Sequence, residues 1–103
     1  MREKDIEIYL RDQVKKIKGR AYKFESPGNS GVPDRLVLLP GGRVYFIELK
    51  APGKKSRPLQ VAQQYKITKL GFYVSEIDSF EKVDKFIAKV DEFIAKVGEV
   101  THD

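Results

Sequence analysis

Apolar residues recur at Ile6, Tyr9, Leu10, Val14 and Ile17 across residues 4–18, a spacing that predicts an amphipathic helix with Gly19 as its stop. The segment RAYKFE (20–25) alternates as a strand does, and SPGNSGVP (26–33) is dense in turn formers. Two apolar strands follow, DRLVLLP (34–40) and RVYFIELK (43–50), joined by a turn at Gly41-Gly42. Each is hydrophobic on both faces, as expected of strands sandwiched between layers. APGKKSRP (51–58) reads as a basic loop, Pro58 suits the first turn of a helix running to about Leu70, and Gly71 would end that helix. FYVSEI (72–77) predicts a fourth strand, and Asp78 or Ser79 would cap a last helix. The order is α-β-β-β-α-β-α, an α/β chain.

That last helix holds an internal repeat, DKFIAKV (84–90) followed directly by DEFIAKV (91–97). The seven-residue period places Phe86, Ile87, Val90, Phe93, Ile94 and Val97 on one stripe, the seam of a packed helix. Two heptads are too few for an independent coiled coil, so the stripe is expected to cover the sheet, with a subunit interface as the alternative.

Length and composition narrow the class. A chain of 103 residues fits one domain spanning 1–103, and 41% hydrophobic with 34% charged residues argues against wholesale disorder. The absence of Cys removes disulfides and thiolate metal sites. No run approaches the roughly eighteen apolar residues of a membrane span, and no apolar stretch follows Met1-Arg2-Glu3-Lys4-Asp5, so a cytoplasmic location is expected. The net charge of +5 is unevenly spread. Between Glu48 and Glu76 no acid occurs, whereas Lys50, Lys54, Lys55, Arg57, Lys66 and Lys69 do. Lys54, Lys55 and Arg57 are therefore candidate phosphate contacts, with a solvated loop and helix face as the plain alternative. From Glu76 onward eight acids face four lysines, so the chain is not uniformly basic.

Charges in the two apolar strands carry the most information, because desolvating a charge costs several kcal/mol unless it is paired or metal-bound. A three-residue loop at Pro40-Gly41-Gly42 pairs Leu39 with Arg43 and sets Asp34 opposite Glu48, with Lys50 on the same face. A two-residue loop would put Leu49 opposite Asp34, since a slip of one residue flips every side chain. The sequence is compatible with both, and the first gives the charges a chemical purpose. Two converging carboxylates need a cation between them, and hard oxygen ligands select Mg2+ or Mn2+. A neighbouring lysine can orient water or neutralise charge growing on a phosphate, which describes phosphodiester hydrolysis. An Asp-Lys-Glu salt-bridge cluster at a strand end is the competing account.

The pieces VPD and IELK resemble the PD-(D/E)XK signature of restriction-endonuclease-like nucleases. More narrowly, YKFESPGNSGVPDRLVLLPGGRVYFIELKAPGKKSRPLQ…LGF resembles the VRR-NUC family, especially its stand-alone phage and bacterial members, from the first helix to about Asp78. The resemblance implies a four-stranded mixed sheet flanked by helices, divalent-metal-dependent nuclease activity on DNA, and kinship with Holliday-junction resolvases. By the family pattern Asp34 and Glu48 are metal ligands, the Leu49 carbonyl often completes their shell, Lys50 is the catalytic lysine, and Gln60 closes over the site. An acid from the first helix is also expected. Glu3 and Glu7 are available and Glu7 fits the family spacing better, the alternative being an exposed helix acid paired with Arg11.

Arg35, next to Asp34, would leave the opposite sheet face and either contact phosphate or pack its stem. Gln63 and Gln64 read as helix surface. His102, the only histidine, lies one residue from the end, which argues against histidine-based chemistry. The five tyrosines are scattered and offer no stacking platform for single strands. Resolving a four-way junction takes two cuts, so a homodimer acting on branched DNA is expected. Rival functions are a non-enzymatic nucleic-acid-binding module, an assembly protein working through its heptads, and a nuclease for flaps or nonspecific duplex.

Overall fold

The computed structural model describes the backbone of residues 1–100 and the side chains of residues 1–91. Its elements follow the predicted order: α1 Glu3–Lys16, β1 Arg20–Lys23, β2 Arg35–Leu39, β3 Arg43–Leu49, α2 Pro58–Lys69, β4 Tyr73–Ile77 and α3 Phe80–Val100. The strands form one mixed sheet in the order β1-β2-β3-β4. Strands β1, β2 and β3 are antiparallel neighbours, and β4 joins β3 in parallel after the α2 crossover.

The β2–β3 register settles the loop. Leu39 pairs with Arg43 and Arg35 with Ile47, so the connection has three residues, and Gly41 (φ 88°) and Gly42 (φ 73°) supply the left-handed backbone it needs. At the far end of α1 the expected stop differs in detail. Lys18, not Gly19, adopts the left-handed conformation (φ 70°), and Gly19 is required for space. A Cβ there would collide with the Leu39 side chain and lie 2.7 Å from the Leu38 carbonyl oxygen.

Alternation along the strands divides the sheet. Val37, Leu39, Tyr45, Ile47, Leu49 and Ile77 point to one face, where Ile6, Leu10 and Val14 of α1 and Val83, Phe86 and Val90 of α3 cover them. Tyr9 links the two helices, its hydroxyl donating to Asp84 Oδ1 at 2.6 Å. The described part of the heptad stripe therefore belongs to the core, with Phe86 and Val90 buried and Ile87 packed against them. Phe93, Ile94, Val97 and His102 lie outside the residues whose side chains are described.

On the other face the sandwich is incomplete. Helix α2 buries only Gln60 and packs chiefly along β4, so Leu36, Val44, Phe46 and Val74 are half-buried and Leu38 is exposed. Phe46 makes edge-on ring contacts with both Phe24 and Phe72 on this face, its centroid 5.7 Å from each. Apolarity on both sides of β2 and β3 thus does not mean burial on both sides. Among the described residues no helix is long and apolar enough to cross a membrane.

Candidate active site

The thinly covered face carries the charged residues. One step beyond the Arg35–Ile47 pair the register sets Asp34 opposite Glu48, and both acids point to the α2 side. The backbone N–H of Leu49 donates to Asp34 Oδ1 at 3.0 Å, fixing that carboxylate against β3. The peptide of Asp34 is fixed too, its carbonyl accepting the Phe24 N–H at 2.8 Å.

Glu48 is 3% exposed, and its Oε1 is buried with no hydrogen-bond partner. Its Oε2 faces the Lys50 ammonium at 3.7 Å and a long contact of 3.4 Å from Gln60 Nε2. Lys50 lies closer to Gln60, donating to Oε1 at 2.7 Å, and the same oxygen accepts the Arg57 N–H at 2.8 Å. Gln60 reaches this point because Arg57 and Pro58 start α2 directly above the strand ends, which turns the third helical residue inward. One amide therefore ties together Glu48, Lys50 and the end of the basic loop.

The electrostatics are those of an unfinished site. Burial, then the Asp34 charge, pushes the Glu48 carboxyl up to about 7, and Lys50 offsets only part of this. Asp34 is raised as well, by burial, against the lowering effect of its bond from Leu49. A buried carboxylate oxygen without a donor costs free energy that a bound cation would recover. Among the described residues no three Asp, Glu, His or Cys side chains are grouped to hold a metal, so the protein offers a pair. That pair fits Mg2+ or Mn2+, which commonly take one or two carboxylates and complete their shell with water and substrate phosphate.

Asp34, Glu48, Leu49, Lys50 and Gln60 are thus gathered in one place. Glu7 and Arg35 are not part of that group. Arg35 leaves the core face of β2, where Nη2 pairs with Glu7 Oε2 at 2.7 Å, so Glu7 binds across to the sheet and not to Arg11 one turn along. The α1 acid whose charge acts on Glu48 is Glu3. Buried on the core side, Arg35 does not line the surface formed by the exposed Lys54, Lys55 and Arg57.

Two contributors escape a linear reading. Ser56 donates to Glu76 Oε2 at 2.8 Å and accepts from Gln64 Nε2 at 3.0 Å, pinning the basic loop to β4 and α2. Gln63 reaches the Ser30 carbonyl at 3.3 Å, so both glutamines anchor loops although each reads as plain surface. The four-residue interval between Gln60 and Gln64 was the available sign, since it sets both on one helix face.

An α/β fold with this β-hairpin and this carboxylate–carboxylate–lysine group defines the class of restriction-endonuclease-like nucleases. The chain belongs to the VRR-NUC family. It is 51% identical over 79 residues to a protein named "Putative nuclease p44" from Acyrthosiphon pisum secondary endosymbiont phage 1, covering 77% of this chain and 85% of that protein. A solved structure described as a VRR_NUC domain superposes with a TM-score of 0.79 at 33% identity, covering 84% of this chain and 94% of the other. No family model matches the chain.

Proposed function

We propose that residues 1–103 act as a single metal-dependent endonuclease domain that hydrolyses phosphodiester bonds in branched DNA such as Holliday junctions, working as a homodimer in the cytoplasm of the host cell. The observation that carries the reading is the buried, unpartnered Glu48 Oε1 facing the same space as Asp34, with Lys50 beside them. Asp34, Glu48 and the Leu49 carbonyl would hold Mg2+ or Mn2+. When bound, such an ion neutralises phosphate charge and lowers the pKa of bound water. Lys50, oriented by Gln60, adds a positive charge where the pentavalent phosphate develops negative charge. Gln60 keeps Lys50 from collapsing fully onto Glu48, so the ammonium stays available to substrate. Lys54, Lys55 and Arg57, held by the Ser56 contacts, would grip the flanking backbone without reading bases.

Kinship with a phage protein and with a VRR_NUC domain supports the nuclease reading over a plain binding module, as does the placement of two acids in a basic face, which would weaken a mere phosphate binder. Pairing of two copies supplies the matched cuts a junction needs, and Leu59, Val61 and Tyr65 of α2 leave apolar surface uncovered for it. A panel of four-way junction, flap, nicked and linear duplexes, incubated with Mn2+ and with excess EDTA, tests the reading alongside light scattering. Symmetric nicking of junctions by a particle of twice 11.8 kDa, abolished by EDTA, is expected. Cleavage undiminished in EDTA would remove the metal mechanism. A strict monomer that trims flaps but spares junctions would remove the resolvase assignment and keep the nuclease.

A further inference from the structure

We infer that Glu7 is a positioning residue for the metal pair, acting on Asp34 through Arg35 and not by touching metal or substrate. The inference rests on reading Asp34 and Glu48 as the metal-holding pair. Arg35 is held at three points. Its Nη2 pairs with Glu7 Oε2 at 2.7 Å, its Nη1 donates to the Asp34 carbonyl oxygen at 2.9 Å, and its stem is buried in the core face of the sheet. The same Asp34 carbonyl takes the Phe24 N–H at 2.8 Å, so two donors from different directions clamp the peptide that carries the metal carboxylate. Strand alternation sends Arg35 away from the Asp34 carboxylate. The guanidinium therefore grips the backbone and leaves the carboxylate oxygens to the site.

Glu7 makes this possible. The Arg35 side chain is only 11% exposed, and a guanidinium so enclosed needs an acid to compensate its lost hydration. Arg11 and Lys23 line the same small cleft of about 160 Å³, which raises that need. Glu7 is the acid that lines it. Lys23 is already paired with Glu25 at 3.2 Å, so the cation that loses its acid without Glu7 is the enclosed Arg35, which then swings toward water. Asp34 then keeps one carbonyl donor in place of two, and its carboxylate loses the fixed approach that a two-carboxylate site depends on. Partners one shell removed from a metal ligand typically alter metal affinity by about ten- to a hundredfold.

The test is calorimetric titration of Mn2+ into the full chain without DNA, comparing wild type with Glu7→Ala, Glu7→Gln, Arg35→Ala, Arg35→Lys, the Glu7→Ala/Arg35→Ala double variant and Asp34→Ala. Thermal melts in EDTA check that each is folded. Glu7→Ala and Arg35→Ala should each weaken Mn2+ binding by about tenfold, and the double variant should bind no more weakly than the worse single one. Glu7→Gln, which keeps an acceptor for Arg35 but not the charge that compensates it, should fall between wild type and Glu7→Ala. If Arg35→Ala does not fold, Arg35→Lys takes its place and should bind Mn2+ about tenfold more weakly, because one ammonium cannot reach both Glu7 and the Asp34 carbonyl. A purely structural role would lower the melting temperature and leave the Mn2+ affinity of the folded protein unchanged, which overturns the inference. So would additive losses in the double variant, which would mean that Glu7 acts on the metal pair independently of Arg35. A wild type that binds no Mn2+, or an Asp34→Ala variant that binds it normally, overturns the metal reading itself and this inference with it.

Discussion

The two faces of the β2–β3 hairpin are built from alternate residues of the same two strands, yet they obey opposite rules. On one face Val37, Leu39, Tyr45 and Ile47 are closed over by α1 and α3, and the arginines stand at its two ends, Arg35 paired with Glu7 and Arg43 over the Tyr45 ring at 5.1 Å. On the other, Glu48 is nearly as buried as Ile47 but has an oxygen without a partner and a carboxyl raised to about 7. The first face gains free energy by excluding water. The second gives some up, keeping the Glu48 carboxyl buried with an oxygen that no neighbour satisfies.

The sharpest way to break this contrast is to truncate one residue on each side. Ile47→Ala opens a cavity in a fully buried site and should cost about 2–5 kcal/mol of stability, read by urea denaturation, while the activity of the folded fraction persists. Glu48→Ala should do the reverse, reducing cleavage on the order of a thousandfold with stability kept or improved and DNA binding intact. Loss of activity in Ile47→Ala well beyond its unfolded fraction would mean that the two faces are not separable.

The pH dependence of stability sharpens the same point. Glu48 titrates near 4.5 in the unfolded chain and about 7 in the fold, so between those values the native state holds a proton that the unfolded state has released. Stability in EDTA should therefore fall as pH rises from about 4.5 to 7, with the full cost present above 7 and none below 4.5. The raised Asp34 acts in the same direction. The cost at Glu48 is on the order of 3 kcal/mol at pH 8, and Glu48→Gln should recover much of it. Melting curves of wild type and Glu48→Gln at pH 5 and 8 measure the difference, and equal melting temperatures at pH 8 would show that Glu48 is not held at a cost.

The core face was readable in the sequence because periodicity reports burial directly. Ile6, Leu10 and Val14 fall at four-residue steps, and the strand alternation needed only the correct loop length to assign its faces. Asp34, Glu48 and Lys50 were readable for a related reason: once the Pro40-Gly41-Gly42 loop is fixed, two-residue periodicity brings them together. What could not be read was the part that depends on the packing of α1 against the sheet. Glu3 and Glu7 are one helical turn apart, the family spacing favours Glu7, and only the tertiary position of Arg35 shows that Glu7 pairs with it while the charge of Glu3 reaches Glu48. The thin cover over Leu38 and Phe46 was hidden likewise, because apolar residues on both strand faces do not reveal how far a single short helix extends.

The smallest expected effect tests whether the site face continues into the basic loop. Lys54, Lys55 and Arg57 are exposed, and the loop bearing them is tied to the rest of the face by Ser56, Gln64 and Glu76. Exposed cations contribute to DNA binding mainly by releasing condensed counterions, so their removal acts on every sequence alike. Replacing all three with Ala should weaken duplex binding by about tenfold near physiological salt, and the slope of log affinity against log salt should flatten by roughly one unit for each phosphate no longer neutralised. Fluorescence anisotropy between low and moderate salt gives both quantities, with Ca2+ in place of Mn2+ to prevent cleavage. On the proposed reading the rate at saturating DNA should change little, because these side chains would hold the strand away from the charge that develops at the scissile phosphate. A salt slope equal to that of the wild type would place the loop off the DNA path and confine the nucleic-acid contact to Lys50 and its immediate neighbours.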